Sequence, residues 1–331
     1  MLTLNPIFTN GMILQGNKKI KVFGKGQGKV TVCFENETVS IFSDSEDWEI
    51  TLSPHAYGGP YTMSVTLDDQ LINITDIYVG DVYFLGGQSN MQFKMFERKE
   101  PSDVYEDNES VRLFTVDRME NALDEHWGSK DGWVNLTKEN APYFSAIGYY
   151  FSCELSKHID RKIGLIACYQ GASVIQSWLK KEIAQREELQ VENKFADHEW
   201  FPIWNDDGVL YDFMMTKVIP YQIKCVLWYQ GESNASIDEA RIYLRFLDAL
   251  TSSWREAFDD SEMEFIIIQL ADYIERDTEG WHLVQEAQLK AQDELKGVKT
   301  VICRDVCEND DIHPRSKKEL SLRIVKAVLE N

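Results

Sequence analysis

The serine at position 89 stands where acyl-transfer chemistry needs a nucleophile. It lies in the glycine-rich run Gly86–Met91, directly after the apolar run 82–85. A serine on a turn between a strand and a helix exposes its Oγ beside a free backbone N–H, which is the geometry of a nucleophile. A serine at such a turn also serves as a helix N-cap, and this motif alone favours capping over catalysis.

A histidine near the end of the chain has acidic neighbours. His313 follows Asp310 and Asp311 in the run Asn309–Pro314. A carboxylate two or three residues before a histidine can orient the imidazole and stabilise its charged form. An acidic surface loop with an incidental histidine is the simpler interpretation of this run alone. The chain has six histidines, and five of them lack any such context: His55, His126, His158, His198 and His282.

Two further loops carry amide groups. Gln170–Ser173 follows the apolar run 163–168, and Gln230–Asn234 follows the apolar run 225–229. Glycine turns free backbone N–H groups, and Gln or Asn side chains add donors, so together these loops predict an oxyanion hole. Each loop alone indicates only a turn. A nucleophile, two donor loops and an acid–histidine pair, each after its own strand, form a much more specific pattern.

The segments that must position these loops show two different patterns of apolar residues. Residues 1–76 alternate apolar and polar side chains between glycine turns, which predicts a small N-terminal β-sandwich of short antiparallel strands. Residues 77–331 alternate apolar runs with helical patterns, which predicts an α/β domain whose parallel sheet is covered on both faces. Sites in such sheets lie at the carboxyl ends of the strands. The acidic, weakly periodic segment 97–142 is expected to be a functional loop.

The composition of the chain argues against several classes of protein and partner. The 331 residues carry a net charge of −21, which argues against a nucleic-acid or anionic-membrane partner. Apolar residues make up 44% and charged residues 27%, as in a soluble globular protein, which excludes a collagen or a coiled coil. The first residues lack a basic segment followed by an apolar one, so we expect a cytoplasmic protein. The six cysteines are expected to be free thiols, and Cys303 and Cys307 lack the further ligands of a zinc site.

With these motifs in order, the chain resembles the SGNH/GDSL hydrolase superfamily, and most of all its sialate O-acetylesterase-like branch of carbohydrate acetylesterases. The resemblance implies a three-layer α/β/α, flavodoxin-like hydrolase domain at 77–331 behind the N-terminal β-sandwich. It runs nearly end to end and rests on six segments: Pro6–Gln15, Gly58–Tyr61, Val79–Val82, Gly87–Met91, Trp228–Asn234 and Asp311–Pro314.

The family pattern implies roles for individual residues. Ser89 would be the nucleophile and His313 the general base. Asp310 fits the Asp-x-x-His spacing of the superfamily and Asp311 the Asp-Ile-His-Pro form of this branch; we favour Asp310. The oxyanion hole would use the N–H groups of Ser89 and Gly171.

A side-chain amide would complete the oxyanion hole, from Gln230 or Asn234, and we favour Gln230. Gln176 stands where the family usually has Glu. Trp178 and Tyr229 are candidate platforms for a sugar ring, with a place in the core as the equal alternative. We also expect Gln88, Asn90 and Asn234 to contact the substrate.

The resulting hypothesis is a serine carbohydrate O-acetylesterase that forms an acetyl-enzyme and needs no metal or organic cofactor. Its expected partner is an acetylated sugar or oligosaccharide, and the sequence leaves homo-oligomerisation open. A sialate carries a carboxylate and would need an Arg or Lys, which the sequence does not single out. Acetylated xylan or mannan oligosaccharides are therefore an alternative. A carbohydrate-binding protein without catalysis is the rival class.

Overall fold

The N-terminal strands follow the alternation of apolar residues. The computed structural model describes residues 1–98, 104–119, 132–194, 203–276 and 278–330. In strand β4, Val30, Val32 and Phe34 are buried while the residues between them are partly exposed. The first seven strands are β1 (Thr3–Leu4), β2 (Ile13–Gln15), β3 (Ile20–Lys25), β4 (Gly28–Phe34), β5 (Glu37–Ser43), β6 (Asp47–Leu52) and β7 (Gly58–Leu67).

These strands form two groups. One is a small antiparallel sheet in the order β1-β3-β6. In the other, β4 lies between β5 and β7 in antiparallel pairing, and β7 pairs with the next strand, β8 (Gln70–Gly87). The expected small antiparallel region at the N-terminus is therefore present.

Strand β8 is 18 residues long and belongs to both parts of the molecule. Its first half pairs with β7 and, in parallel, with β2. Its second half is a central strand of the large sheet. The division expected after residue 76 falls inside this strand.

The large sheet is mixed, with a parallel core. Its order is β10-β9-β11-β8-β12-β13-β14, and every pair except β10 with β9 is parallel. The near-continuous apolar runs form these strands because both faces of the sheet are covered; every residue of β11 and β12 is buried. The strands are β9 (Asn108–Thr115), β10 (Val134–Leu136), β11 (Ile163–Tyr169), β12 (Cys225–Tyr229), β13 (Glu264–Ile268) and β14 (Val298–Val301).

The helices alternate with the strands of the large sheet in sequence, and the last helix follows the last strand. Helix α2 packs against α8, and α6 packs against α7. In the described part of the chain, no helix has the length and apolar character needed to cross a membrane. The helices are α1 (Ser89–Gln92), α2 (Ala146–Leu155), α3 (Lys181–Ala184), α4 (Val209–Phe213), α5 (Ile237–Arg241), α6 (Tyr243–Phe258), α7 (Glu279–Glu294) and α8 (Lys318–Leu329).

The segment 97–142 is not simply a loop, which corrects the sequence-based expectation. Its residues 108–115 form β9 and its residues 134–136 form β10 at the edge of the large sheet. The polar Arg112 is accommodated in β9 because its guanidinium donates to the Gly11 carbonyl at 2.6 Å and pairs with Asp76 at 2.8 Å. Residues 99–103 and 120–131 of this segment lie outside the described residues.

Candidate active site

Three loops meet because their strands end side by side. Gly87, the last residue of β8, is in register with Tyr169 of β11 and Tyr229 of β12. Gly87 has φ +123°, and a Cβ there would lie 2.1 Å from the Tyr229 carbonyl oxygen, so only glycine fits. The turn that follows is thereby held against both neighbouring strands, with Ser89 directly after it.

The structure brings Ser89 and His313 into contact across 224 residues of sequence. His313 Nε2 lies 2.8 Å from Ser89 Oγ, and both side chains are partly exposed. Ser89 is the first residue of α1, where a backbone N–H has no acceptor within the helix. This is the arrangement of a nucleophile beside a general base.

The acidic neighbours of His313 differ in placement. The Asp311 carboxylate accepts the His313 backbone N–H at 2.8 Å. Among the described residues, no hydrogen bond joins Asp310, which is exposed, to the imidazole. Neither carboxylate is hydrogen-bonded to the imidazole in the described part of the chain, and we propose Asp311 rather than Asp310 as the acidic partner because the charge of Asp311 acts on His313. The residue spacing could not decide this, because both positions fit a short acidic turn.

The groups around His313 have opposing effects on the pKa of its imidazole. Burial and the nearby Lys317 ammonium lower the pKa of His313, whereas the carboxylates of Asp311 and Glu97 raise it, and the net direction is down. A histidine with a lowered pKa stays neutral to more acidic pH. The imidazole is thus kept in the form that can accept the serine proton.

The Gly171 loop lies beside the nucleophile. A Cβ built on Gly171 would be 3.8 Å from Ser89 Cβ, and the Gly171 N–H donates to Gln92 Oε1 at 2.9 Å. The Trp204 indole N–H donates to the Gly171 carbonyl at 3.2 Å. Sequence reasoning missed Gln92 and Trp204. The position of Gln92, three residues after Ser89 on a helix, was the one available signal.

Gln230 does not face the reaction site, which corrects its assignment to the oxyanion hole. It is fully buried, and its Nε2 lies 3.0 Å from the Ser173 carbonyl and 2.8 Å from Asn234 Oδ1. Its Oε1 accepts from the Tyr243 hydroxyl at 2.6 Å. An amide with two N–H donors has both committed here.

Asn234, the alternative amide, is equally committed. Its Nδ2 donates to Gln176 Oε1 at 2.8 Å and its Oδ1 accepts the Ile175 N–H at 3.0 Å. Gln176 in turn donates to Glu239 Oε1 at 2.8 Å, so an amide at position 176 matches a carboxylate at 239. This buried network joins the loop at Ile175 and Gln176 to Asn234 and Glu239.

Asn90 is a buried connector between three loops. Its Nδ2 donates to Glu232 Oε1 at 2.6 Å and to the Ile312 carbonyl at 2.9 Å, while its Oδ1 accepts from Lys317 Nζ at 2.6 Å. Ile312 precedes His313, so Asn90 ties the nucleophile helix to the histidine loop. Asn90 is only 2% exposed, and it positions the site from within the protein.

The remaining expected substrate contacts are core residues. Trp178 and Tyr229 are fully buried, so neither can stack on a sugar ring. The Trp178 indole donates to Ser173 Oγ at 3.0 Å. The buried Gln88 side chain faces the loop at 230–233, with Oε1 3.2 Å from Gln230 Nε2. These five expected contacts, from Gln88, Asn90, Trp178, Tyr229 and Asn234, are replaced by structural roles.

No metal centre is apparent in the described ranges, where no group of three or more His, Cys, Asp or Glu side chains is arranged to hold an ion. The chemistry that the site can perform from its own residues is acyl transfer to Ser89, with His313 moving the proton. The N–H groups of Ser89 and Gly171 remain the predicted donors of an oxyanion hole, and the Gly171 N–H donates to Gln92 Oε1 in this structure.

Comparisons with known proteins point to the same chemistry. Residues 79–330 match the family model for carbohydrate esterases described as sialic acid-specific acetylesterase. A sialate O-acetylesterase of Mus musculus is 25% identical over 89% of this chain and 66% of its own length. That of Homo sapiens is 26% identical over 95% of this chain and 68% of its own length. The chain thus spans about two thirds of the length of these curated relatives.

Two solved structures have a similar fold. A carbohydrate acetylesterase from Xanthomonas citri superposes with a TM-score of 0.86 and 27% identity, over 99% of this chain and 74% of that one. A protein from Arabidopsis thaliana shares the fold with a TM-score of 0.53 and 18% identity, over 76% of this chain and 98% of that one.

Proposed function

This chain belongs to the sialic acid-specific acetylesterase family of carbohydrate esterases, and on that premise we propose that it removes acetyl groups from sugar hydroxyls through an acetyl-enzyme on Ser89. The observation that carries the proposal is the 2.8 Å contact between Ser89 Oγ and His313 Nε2. A carbohydrate-binding protein without catalysis would have no need of this pair.

The proposed reaction has two halves. His313 Nε2 accepts the Ser89 proton while Oγ attacks the acetyl carbonyl, and the sugar oxygen leaves with the proton from His313. Water, activated by the same imidazole, then releases acetate. The Ser89 and Gly171 N–H groups stabilise the tetrahedral intermediates, and losing one such donor typically costs about 10²–10³ in turnover. For this role the Gly171 N–H must exchange its hydrogen bond to Gln92 Oε1 for one to the oxyanion.

The substrate proposal has two parts. The names of the relatives make an O-acetylated sialate the first candidate. A neutral acetylated oligosaccharide is the second, because Asp311 and Glu97 place negative charge at His313 and would repel a sialate carboxylate. The Lys317 ammonium acts on the same imidazole in the opposite direction, but it is fully buried and bound to Asn90, so it cannot pair directly with a sialate carboxylate. We assign the half-buried ring of Trp204, beside Gly171, as the contact for the sugar.

We also propose a fold for each of the two parts of the chain. We assign residues 77–331 to a three-layer α/β/α domain of SGNH type, supported by the parallel core and by the two packed helix pairs, α2 with α8 and α6 with α7. We assign residues 1–76 to an N-terminal β-sandwich, supported by the two strand groups described above.

The test is acetate release by the full chain and by two variants. Ser89→Ala and His313→Ala are each expected to lower kcat by at least about 10³-fold on 4-nitrophenyl acetate and on acetylated sugars. Ser45→Ala and His158→Ala, which change exposed residues, are the matched controls and should keep wild-type rates. Turnover within tenfold of wild type in either site variant would refute the mechanism. Comparing O-acetyl sialates with acetylated xylo- and manno-oligosaccharides decides between the two substrate candidates.

A further inference from the structure

Two cysteines face each other in the segment that leads to His313. Cys303 and Cys307 follow β14, and the Cys307 N–H donates to the Cys303 carbonyl at 3.0 Å, so they are separated by one turn of helix-like backbone. Each thiol shifts the pKa of the other, so the two side chains lie near enough to interact. All six cysteines of the chain are free thiols, as the sequence predicts.

The two thiols differ in surroundings. Cys303 is buried, with its Sγ 2.9 Å from the Gln269 carbonyl oxygen. Cys307 is partly exposed, with its Sγ 3.7 Å from the Ser316 carbonyl oxygen. The inner thiol is thus shielded and the outer one can be reached from solvent.

A buried ammonium lies close to both. Lys317 is fully buried, and its charge acts on Cys303 and Cys307 as well as on Glu232 and Glu308. The pKa of Cys307 is lowered, chiefly by the interaction with the Cys303 thiol and also by Lys317, against burial and the opposing charge of Glu308.

Three other cysteines differ from Cys307 in the direction of their pKa shifts. Burial raises the pKa of Cys153 to about 11 and raises the pKa of Cys168 and Cys225 further. An accessible thiol with thiolate character and a second thiol at hand is the arrangement of a redox-sensitive cysteine.

We propose that Cys307 and Cys303 form a peroxide-sensitive dithiol, with Cys307 as the attacking and Cys303 as the resolving residue. The Cys307 thiolate attacks one oxygen of hydrogen peroxide, the O–O bond breaks, and hydroxide leaves as the sulfenic acid forms. The Cys303 sulfur then attacks the Cys307 sulfur, releasing the second oxygen as water. The two thiols lose two electrons and two protons, and one peroxide becomes two waters.

Closing this disulfide changes the loop that carries the histidine. Residues four apart on a helical turn have Cβ atoms about 5–6 Å apart, whereas a disulfide requires about 3.5–4.5 Å, so the turn must contract. Cys307 also loses the S–H that faces the Ser316 carbonyl. Ser316 precedes Lys317, whose ammonium holds Asn90 of the nucleophile helix. Oxidation is therefore expected to lower esterase activity, a consequence that rests on the proposed function.

The experiment treats the full chain with hydrogen peroxide and maps its peptides without reduction. Trypsin cleaves after Arg304, between the two cysteines, so a disulfide appears as two linked peptides that are two hydrogens lighter than the separate ones. The linked pair should form in wild type and in the control Cys153→Ser, and be absent in Cys303→Ser and Cys307→Ser. Unlinked thiols, or sulfinic acid at Cys307 without linkage, would overturn the dithiol.

Activity on 4-nitrophenyl acetate is followed on the same samples. We expect at least a fivefold fall in kcat in step with linkage, restored by dithiothreitol and absent in Cys303→Ser. Linkage with unchanged kcat would overturn the effect on catalysis while leaving the modification site in place. Peptide linkage does not depend on turnover, so failure of the esterase assignment and failure of the dithiol are distinguishable.

Discussion

Replacing Asn90 by alanine tests whether one buried amide holds the site together. The side chain makes three hydrogen bonds, to Glu232, to the Ile312 carbonyl and to Lys317. A buried group left without its partner costs about 1–3 kcal/mol, and three are left here. Glu232 and Lys317 can recover part of this by approaching each other. We therefore expect Asn90→Ala to lower the free energy of unfolding by about 3–5 kcal/mol.

The assay is urea unfolding followed by circular dichroism, with kcat measured on the folded fraction. Asn10→Ala is the matched control, because Asn10 is exposed and its Oδ1 accepts the Thr75 N–H at 2.8 Å. It should cost less than about 1 kcal/mol. The folded Asn90 variant should also lose kcat, since the residue before His313 loses its anchor. A stability loss below about 1 kcal/mol, or an equal loss in both variants, would refute the reasoning.

Two further predictions concern the charges and the ring beside the nucleophile. The acid limb of the pH dependence of kcat/KM should have its midpoint below 6.5, the ordinary pKa of histidine, because burial and Lys317 lower the pKa of His313 and keep it neutral to lower pH. Asp311→Asn removes a carboxylate that raises this pKa and should move the limb to still lower pH, whereas Asp310→Asn should not; equal shifts would contradict the assignment. Trp204→Ala should raise KM for acetylated oligosaccharides about three- to tenfold and change 4-nitrophenyl acetate hydrolysis little. Trp204→Phe should retain the wild-type KM, and a loss as large as that of the alanine variant would argue against stacking.

The parallel strands and the meeting of their loops could be predicted from the sequence because both follow from general rules. The apolar run 225–229 coincides with strand β12, since a strand covered on both faces has no polar positions. Once the strands are parallel, the residues after them share one edge. The contact between Ser89 and His313 is the outcome that this reasoning anticipates.

The roles of individual side chains could not be predicted in the same way. A motif gives the residue type and its place along the chain, whereas burial depends on what covers it. Tyr229 ends an apolar strand and Gln230 begins a polar loop, yet both are fully buried. Strand β9 was missed because its sequence mixes polar and apolar residues, and its Arg112 is satisfied by partners distant in sequence.

The long strand β8 has a mechanical consequence. Its residues Gln70–Gly87 run from the N-terminal strands to the turn before Ser89, with neighbours hydrogen-bonded along both halves and an irregularity at Asp76, which has φ +58°. A strand that is paired on both sides of its junction couples the positions of the two groups of strands. A displacement of the N-terminal strands would therefore reach the turn that carries Ser89 through one continuous stretch of backbone.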